Sequence, residues 1–232
     1  MHIAEGLLPA QWAVAYYGAA GIIVAKGMRQ YRARSREYGS FRQLTGLLTA
    51  AVFIISLLPI PVPIAGTSSH PGGTPLAAIL MGPFIATMMS VVALFLQALL
   101  LAHGGLTTLG ANALAMGIGG MVGFAVFRTG KRVGLHLPVA AGFAGLAGDL
   151  SIYAATSAQL ALALNGIESF DKAFSAIYLA YLPTQLPLAV MEGAFTALVI
   201  RYLMIRRPDI LTVLRVMPPE ASKPVEVTRL EL

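Results

Sequence analysis

The sequence predicts an all-α, polytopic membrane bundle of about seven transmembrane helices, one of them short or re-entrant near residues 75–82. Three observations carry this reading. Of the 232 residues, 57% are hydrophobic and 11% charged, against roughly 25% charged in soluble domains. Several apolar runs approach or exceed the ~20 residues that a helix needs to cross a bilayer core, whereas an outer-membrane barrel would show short alternating segments. The basic residues cluster in short stretches between those runs, as the positive-inside rule expects. The net charge of +6 is therefore a topological signal and not a nucleic-acid footprint. Residues 1–207 read as one transmembrane domain and 208–232 as a cytoplasmic tail.

The spans follow in order. The first covers 8–28 and is closed by Arg29, Arg32, Arg34 and Arg36; Ala15-xxx-Ala19 and Gly21-xxx-Ala25 give it small-residue faces for close packing within or between subunits. Further spans are expected at 42–60, 84–103, 110–129, 138–163 and 179–205. Arg128, Lys131 and Arg132 follow the 110–129 run, and Arg206 and Arg207 follow the last. With all three basic clusters in the cytoplasm, the amino terminus lies outside, the carboxyl terminus inside, and the number of crossings is odd. A single crossing over 75–103 would turn the Arg128–Arg132 loop outward, yet two full spans need ~40 residues. A short helix at 75–82, stopped by Gly82-Pro83, then a full helix, resolves the parity, since proline lacks an amide donor and disfavours helix at the residue before it. Irregular backbone at membrane depth survives only against protein or an aqueous cavity, so residues 61–75 are expected to line a site.

That topology puts His2, His70 and His103 on one face and leaves His136 as a solvated loop residue on the other. Met1 and His2 form a chelator made of backbone: the α-amine, the His2 amide and one imidazole nitrogen close adjacent rings on one ion. Four in-plane nitrogens suit Ni(II), Cu(II) and related ions, and a fourth must come from elsewhere. Histidine at position 2 disfavours removal of Met1, and the stretch IAEGLLP (3–9) lacks a basic n-region and a small-residue cleavage site, so the start is expected to persist. In PIPVPIAGTSSHPGGTP (59–75) the density of Pro and Gly excludes regular helix, and His70, beside Thr67, Ser68 and Ser69, is a candidate fourth nitrogen. In QALLLAHGGLTTLGANA (97–113), His103-Gly104-Gly105 stops one helix and Thr107 or Thr108 opens the next. His103 is expected to satisfy its own helix end or to orient a ligand, with Asn112 closing the loop onto the site. Ser68 and Ser69 are further supporting candidates.

Asp149 and Glu192 fall inside spans, where acids face a cavity or a partner. Tyr153 and Gln185 are candidate partners, and Gly142, Gly145 and Gly148 form a packing face before Asp149. With no cysteine, disulfides and thiolate metal sites are excluded. No HExxH, GxSxG or GxxxxGK[ST] pattern occurs, which argues against a membrane enzyme and requires any ATP-derived energy to come from a partner. No internal repeat of the kind common in secondary carriers is evident.

MHIAEGLLP (1–9), SSHPGGT (68–74) and ALLLAHGGLTTLGANALAM (98–116) resemble the CbiM/NikM family, the substrate-binding S components of energy-coupling factor transporters for cobalt and nickel, and look more like the cobalt branch. The resemblance reaches about residue 207. It implies seven transmembrane helices and an amino terminus folded inward from the outer side of the cell membrane. It implies metal held by the Met1 amine, the His2 amide and imidazole, and His70, with Co(II) or Ni(II) as cargo and no cofactor. It also implies partners: a transmembrane coupling subunit, two ATPase subunits and a small accessory membrane protein like CbiN. The tail from 208, with Glu220, Glu226 and Glu231, matches nothing in that pattern, and its composition predicts mobility.

Overall fold

A computed structural model describes residues 2–57, 60–61, 67–164 and 167–218. The elements are α1 (Ala10–Glu37), α2 (Ser40–Ile55), β1 (Ile60–Pro61), β2 (Ser68–Ser69), α3 (Thr74–Met81), α4 (Pro83–Leu101), α5 (Leu109–Arg132), α6 (Leu137–Ala163), α7 (Phe170–Arg206) and α8 (Pro208–Val213). The chain is a helical bundle with one two-stranded antiparallel ribbon, in which Ile60 pairs with Ser69 and Pro61 with Ser68. Helices α4, α5, α6 and α7 are long and apolar enough to cross a membrane. Helix α1 has 28 residues but carries Lys26 and four arginines, and α2 has only 16. Among the described residues seven helices precede α8, and length with composition makes four of them candidate spans.

Hydropathy marks the bilayer core and not helix ends, which explains the main differences from expectation. Helix α1 runs on through the basic cluster to Glu37. Helix α7 begins at Phe170, nine residues before the expected 179, and continues through Pro183 and Pro187 for 37 residues. Helix α2 stops at Ile55 and does not reach 60.

The expected short helix is α3. All eight of its residues are buried, so its ends need partners inside the protein. Gly82 ends it at φ 93°, ψ 151°, a conformation open to glycine, and its amide bonds back to Ala78 O (2.9 Å). Pro83 then starts α4, where its missing amide costs nothing. The carbonyl of Met81 receives Arg34 Nη1 (3.3 Å).

Glycines join α5, α6 and α7 at backbone distance. A Cβ on Gly119 would lie 2.6 Å from Gly148 O, and one on Gly148 2.8 Å from Gly119 O and 2.6 Å from Pro75 Cγ. Gly145 and Gly193 make the same kind of approach between α6 and α7, with a Cβ at 2.9 Å from Glu192 O and at 2.8 Å from Gly142 O. The face read from Gly142, Gly145 and Gly148 thus serves two neighbours. Gly148→Val, which must push backbone aside, is expected to destabilise the protein by about 1–3 kcal/mol, seen as a lower melting temperature in detergent. Gly21→Val on α1, where a Cβ meets nothing within 4 Å, should not lower it; that small-residue face is open in the single chain.

The expected boundary at 207 is not a structural break. Helix α8 packs on α7, and Leu211, Leu214 and Val216 enter the main core. Arg34 Nη2 reaches Val213 O (3.4 Å) and Lys131 Nζ reaches Val216 O (2.7 Å). The apolar spacing of 211, 214 and 216 gave this segment a face to bury; residues 219–232, with Glu220, Glu226 and Glu231, lie outside the described residues. These bonds gather all three basic clusters at one end of the bundle, with α5 running from there to the histidines, about 30 Å away at 1.5 Å per residue. His136 precedes α6 and is exposed.

Candidate metal centre

Ile3 positions the amino-terminal segment. Its side chain is fully buried with Leu8, Tyr16, Ala111 and Leu160, and its backbone is held on both sides. Ile3 N donates to Asn112 Oδ1 (2.9 Å), while Asn112 Nδ2 (3.1 Å) and Thr108 Oγ1 (2.7 Å) both donate to Ile3 O. Thr108 and Asn112 are four residues apart at the start of α5, on one helix face. Ile3 also bridges Thr67 in antiparallel fashion, so the segment lies along the loop that carries His70. Glu5 ties it to the third loop by accepting from Thr107 N (3.1 Å). Those bonds hold the exposed Glu5 carboxyl below its ordinary pKa.

The His70 loop is fastened from the opposite side by α6 and α7. Tyr153 OH accepts from His70 N (2.8 Å) and donates to His70 O (3.0 Å). Ser69 Oγ donates to Gln185 Oε1 (2.5 Å), and Gln185 Nε2 donates to Asp149 Oδ2. Glu192 accepts from Gly72 N at Oε2 (2.6 Å) and from Gly73 N at Oε1 (2.9 Å). The intramembrane acids thus act on the loop, Asp149 through Gln185 and Glu192 directly.

Between these clamps His2 and His70 meet. His70 Nδ1 faces Pro71 O (2.8 Å), an acceptor that fixes the ring proton on Nδ1 and aims the Nε2 lone pair at His2. His70 Nε2 lies 2.6 Å from His2 Nδ1, with the rings stacked at 4.5 Å. His2 is 2% exposed and His70 0%. Burial, then neighbouring positive charge, holds both imidazoles well below their ordinary pKa, so both are neutral and able to ligate at pH 7. His103 completes the group. One ring nitrogen from each of His2, His70 and His103 falls within 4.8 Å of the others, and His103 Nε2 is 3.4 Å from Ser68 Oγ. Burial lowers its pKa too.

Of the residues singled out in the sequence, His2, Ser68, Ser69, His70, His103 and Asn112 come together; Met1 lies outside the described residues. Two contributors escaped sequence reading. Gln97 lies against the His2 ring, its Nε2 anchored on Ser56 Oγ (2.7 Å). His2 Nε2 and Gln97 Oε1 are both buried without a hydrogen-bond partner among the described residues, and a small turn of the Gln97 amide would let it orient the second nitrogen of His2. Glu5 is the other; its place beside the start of α5, 102 residues away in the sequence, comes only from the fold.

Two buried imidazoles and the half-buried His103 bring their ring nitrogens within 4.8 Å of one another, a set of nitrogens of the kind that suits a first-row transition ion. The sequence over residues 2–210 matches the model of the family CbiM, cobalt uptake substrate-specific transmembrane region. The chain belongs to the CbiM family. The cobalt transport protein CbiM of Geobacter sulfurreducens is 49% identical over 212 residues, 91% of this chain and 61% of that relative, so this chain spans about three fifths of its length. The CbiM of Sorangium cellulosum is 47% identical over 225 residues, 96% of this chain and all of the relative. A crystal structure of a truncated transition metal transporter superposes with a TM-score of 0.78 at 26% identity, covering 88% of this chain and 98% of that one. The fold and the four long apolar helices agree with the family on a multi-pass transmembrane protein.

Proposed function

We propose that this CbiM-family chain captures Co(II) at the outer face of the cell membrane, as the substrate-binding component of an ATP-driven importer of the energy-coupling factor type. The Met1 amine, the His2 amide, His2 Nδ1 and His70 Nε2 are the ligands. Ser68, Ser69, His103 and Asn112 support them. The 2.6 Å approach of His70 Nε2 to His2 Nδ1 carries the reading. Nδ1 is the imidazole nitrogen that closes a six-membered ring with its own amide. Nitrogens bind such ions at about 2.0–2.1 Å, which puts adjacent corners of a square about 2.9 Å apart. A transmembrane coupling subunit, two ATPases and a small accessory membrane protein supply energy and release, since the sequence holds no phosphate-binding loop. The same plane of four nitrogens also favours Ni(II) as cargo. A stand-alone channel or carrier is distinguished by metal uptake into liposomes holding the chain alone, which the capture reading does not allow.

Titration calorimetry of Co(II) into protein with its native start tests the site. The α-amine, ordinarily at pKa 7.7–8.0, and the amide must each lose a proton, whereas the buried imidazoles are already neutral and compete for protons only well below pH 6.5. Binding at pH 7 is expected to release about two protons per ion, and affinity should rise steadily from pH 5.5 to 8. Affinity that is flat over that range would contradict the chelate.

A further inference from the structure

The geometry points to His103 as a fifth, out-of-plane nitrogen ligand that makes the site favour Co(II) over Ni(II). This inference rests on the proposed chelate. The chelate's two fused rings fix three corners of a square: amine, amide and His2 Nδ1. The corner beside Nδ1 is where His70 Nε2 stands, 2.6 Å away. With the plane filled, a further nitrogen can approach only along its axis.

Three observations make His103 the candidate for that position. A ring nitrogen of His103 lies within 4.8 Å of the donor atoms of both other histidines, a limit slightly wider than the about 4.2 Å between opposite ligands on one ion, so a small turn of the ring brings it to an ion held by the other two. Its ring is inclined 63° to His2 and 65° to His70, whereas those two rings are only 30° apart. Its Nε2 is also lightly engaged, with Ser68 Oγ at a long 3.4 Å, so little must be broken for it to turn to an ion. The backbone is bent to present it. Ala102 adopts φ 48°, ψ 33°, a left-handed conformation uncommon for a residue with a Cβ and concentrated at functional sites. His103 N closes that turn on Gln97 O (3.2 Å), in the residue that also lies against His2.

Electron count gives the fifth ligand its selectivity. In the strong field of a deprotonated amide, Ni(II) with eight d electrons fills the orbital along the axis and repels an apical donor. Co(II) with seven leaves that orbital half-filled and gains from one. A planar site alone suits nickel and copper; an apical imidazole shifts the balance to cobalt without altering the plane.

The test uses the full chain with its native start, purified in detergent and loaded with Co(II) or Ni(II) alone. Low-spin Co(II) in the unaltered protein should give an electron paramagnetic resonance spectrum whose cobalt lines are each split into three by one apical nitrogen. Labelling histidine with nitrogen-15 should turn the triplets into doublets. In His103→Ala the splitting should vanish and the ratio of Co(II) to Ni(II) affinity fall at least about tenfold, the lower end of what even outer contacts to a ligand are worth. Added imidazole should restore the splitting. If His103→Ala does not fold, His103→Gln and the labelled parent protein give the same readout. An unsplit spectrum in the parent, or equal losses for both metals in the variant, overturns the apical role and leaves His103 a loop support. Failure of the chelate itself looks different: Co(II) would then bind equally well to protein extended by one residue before Met1.

Discussion

One residue added ahead of Met1 is expected to lower Co(II) affinity by more than about 100-fold. The extension converts the primary amine to an amide, removing one ligand outright and breaking the five-membered ring that helps the His2 amide release its proton. Loss of an outer contact to a metal ligand typically costs 10–100-fold, and here two inner donors are compromised together. The structure adds a steric reason. Ile3 is pinned through its side chain, amide and carbonyl, and His2 is buried against His70, so the segment has little freedom to swing aside for extra atoms. Parallel calorimetric titrations of native and extended protein, with melting temperature as a control for folding, decide the matter. Equal affinities would remove the chain start from the site.

The second large effect is expected from Glu192→Ala. Its two oxygens accept from Gly72 N and Gly73 N, the backbone immediately after His70-Pro71. Alanine leaves two buried donors without an acceptor, at about 1–3 kcal/mol each, and opens a void between α7 and the loop. The melting temperature should fall markedly, and metal affinity should fall with it as His70 loses its fixed height above His2. Glu192→Gln offers one oxygen in place of two and should lie between alanine and the parent in both measurements. Metal affinity unchanged in a destabilised Glu192→Ala protein would separate the loop clamp from the site.

The sequence conveyed the parts of this molecule that have a local chemical cause. Hydropathy located α4 to α6 within a few residues, and Gly82-Pro83 located the break after α3, because a glycine stop and a proline start are written in two adjacent letters. The placement of His2, His70 and Asn112 near one another followed from topology and family resemblance. Long-range pairings were less legible. Gln97 sits in an apolar run and reads as a stray polar residue of a span; only the fold brings it to His2. The double hold of Tyr153 on His70 depends on the register between α6 and a loop 83 residues away. Pro183 and Pro187 mark a weak point in α7 without revealing that the helix continues through them, with Gln185 between them bonded to both Ser69 and Asp149.

The glycine contacts that join α5, α6 and α7 bear on how the two sides of the proposed metal site are held. Where carbonyls stand within 3 Å of the space a methyl group would fill, neighbouring helices have no soft layer over which to slide, and the three behave as one rigid plate. His70 is fastened to those helices through Tyr153, Gln185 and Glu192, while His2 is held by its neighbour Ile3, on Thr108 and Asn112 and on Thr67 of the loop. On the proposed site, the amino-terminal side of the ion therefore rests on the bonds of Ile3 to Thr108 and Asn112, and the opposite side on three side chains of two helices.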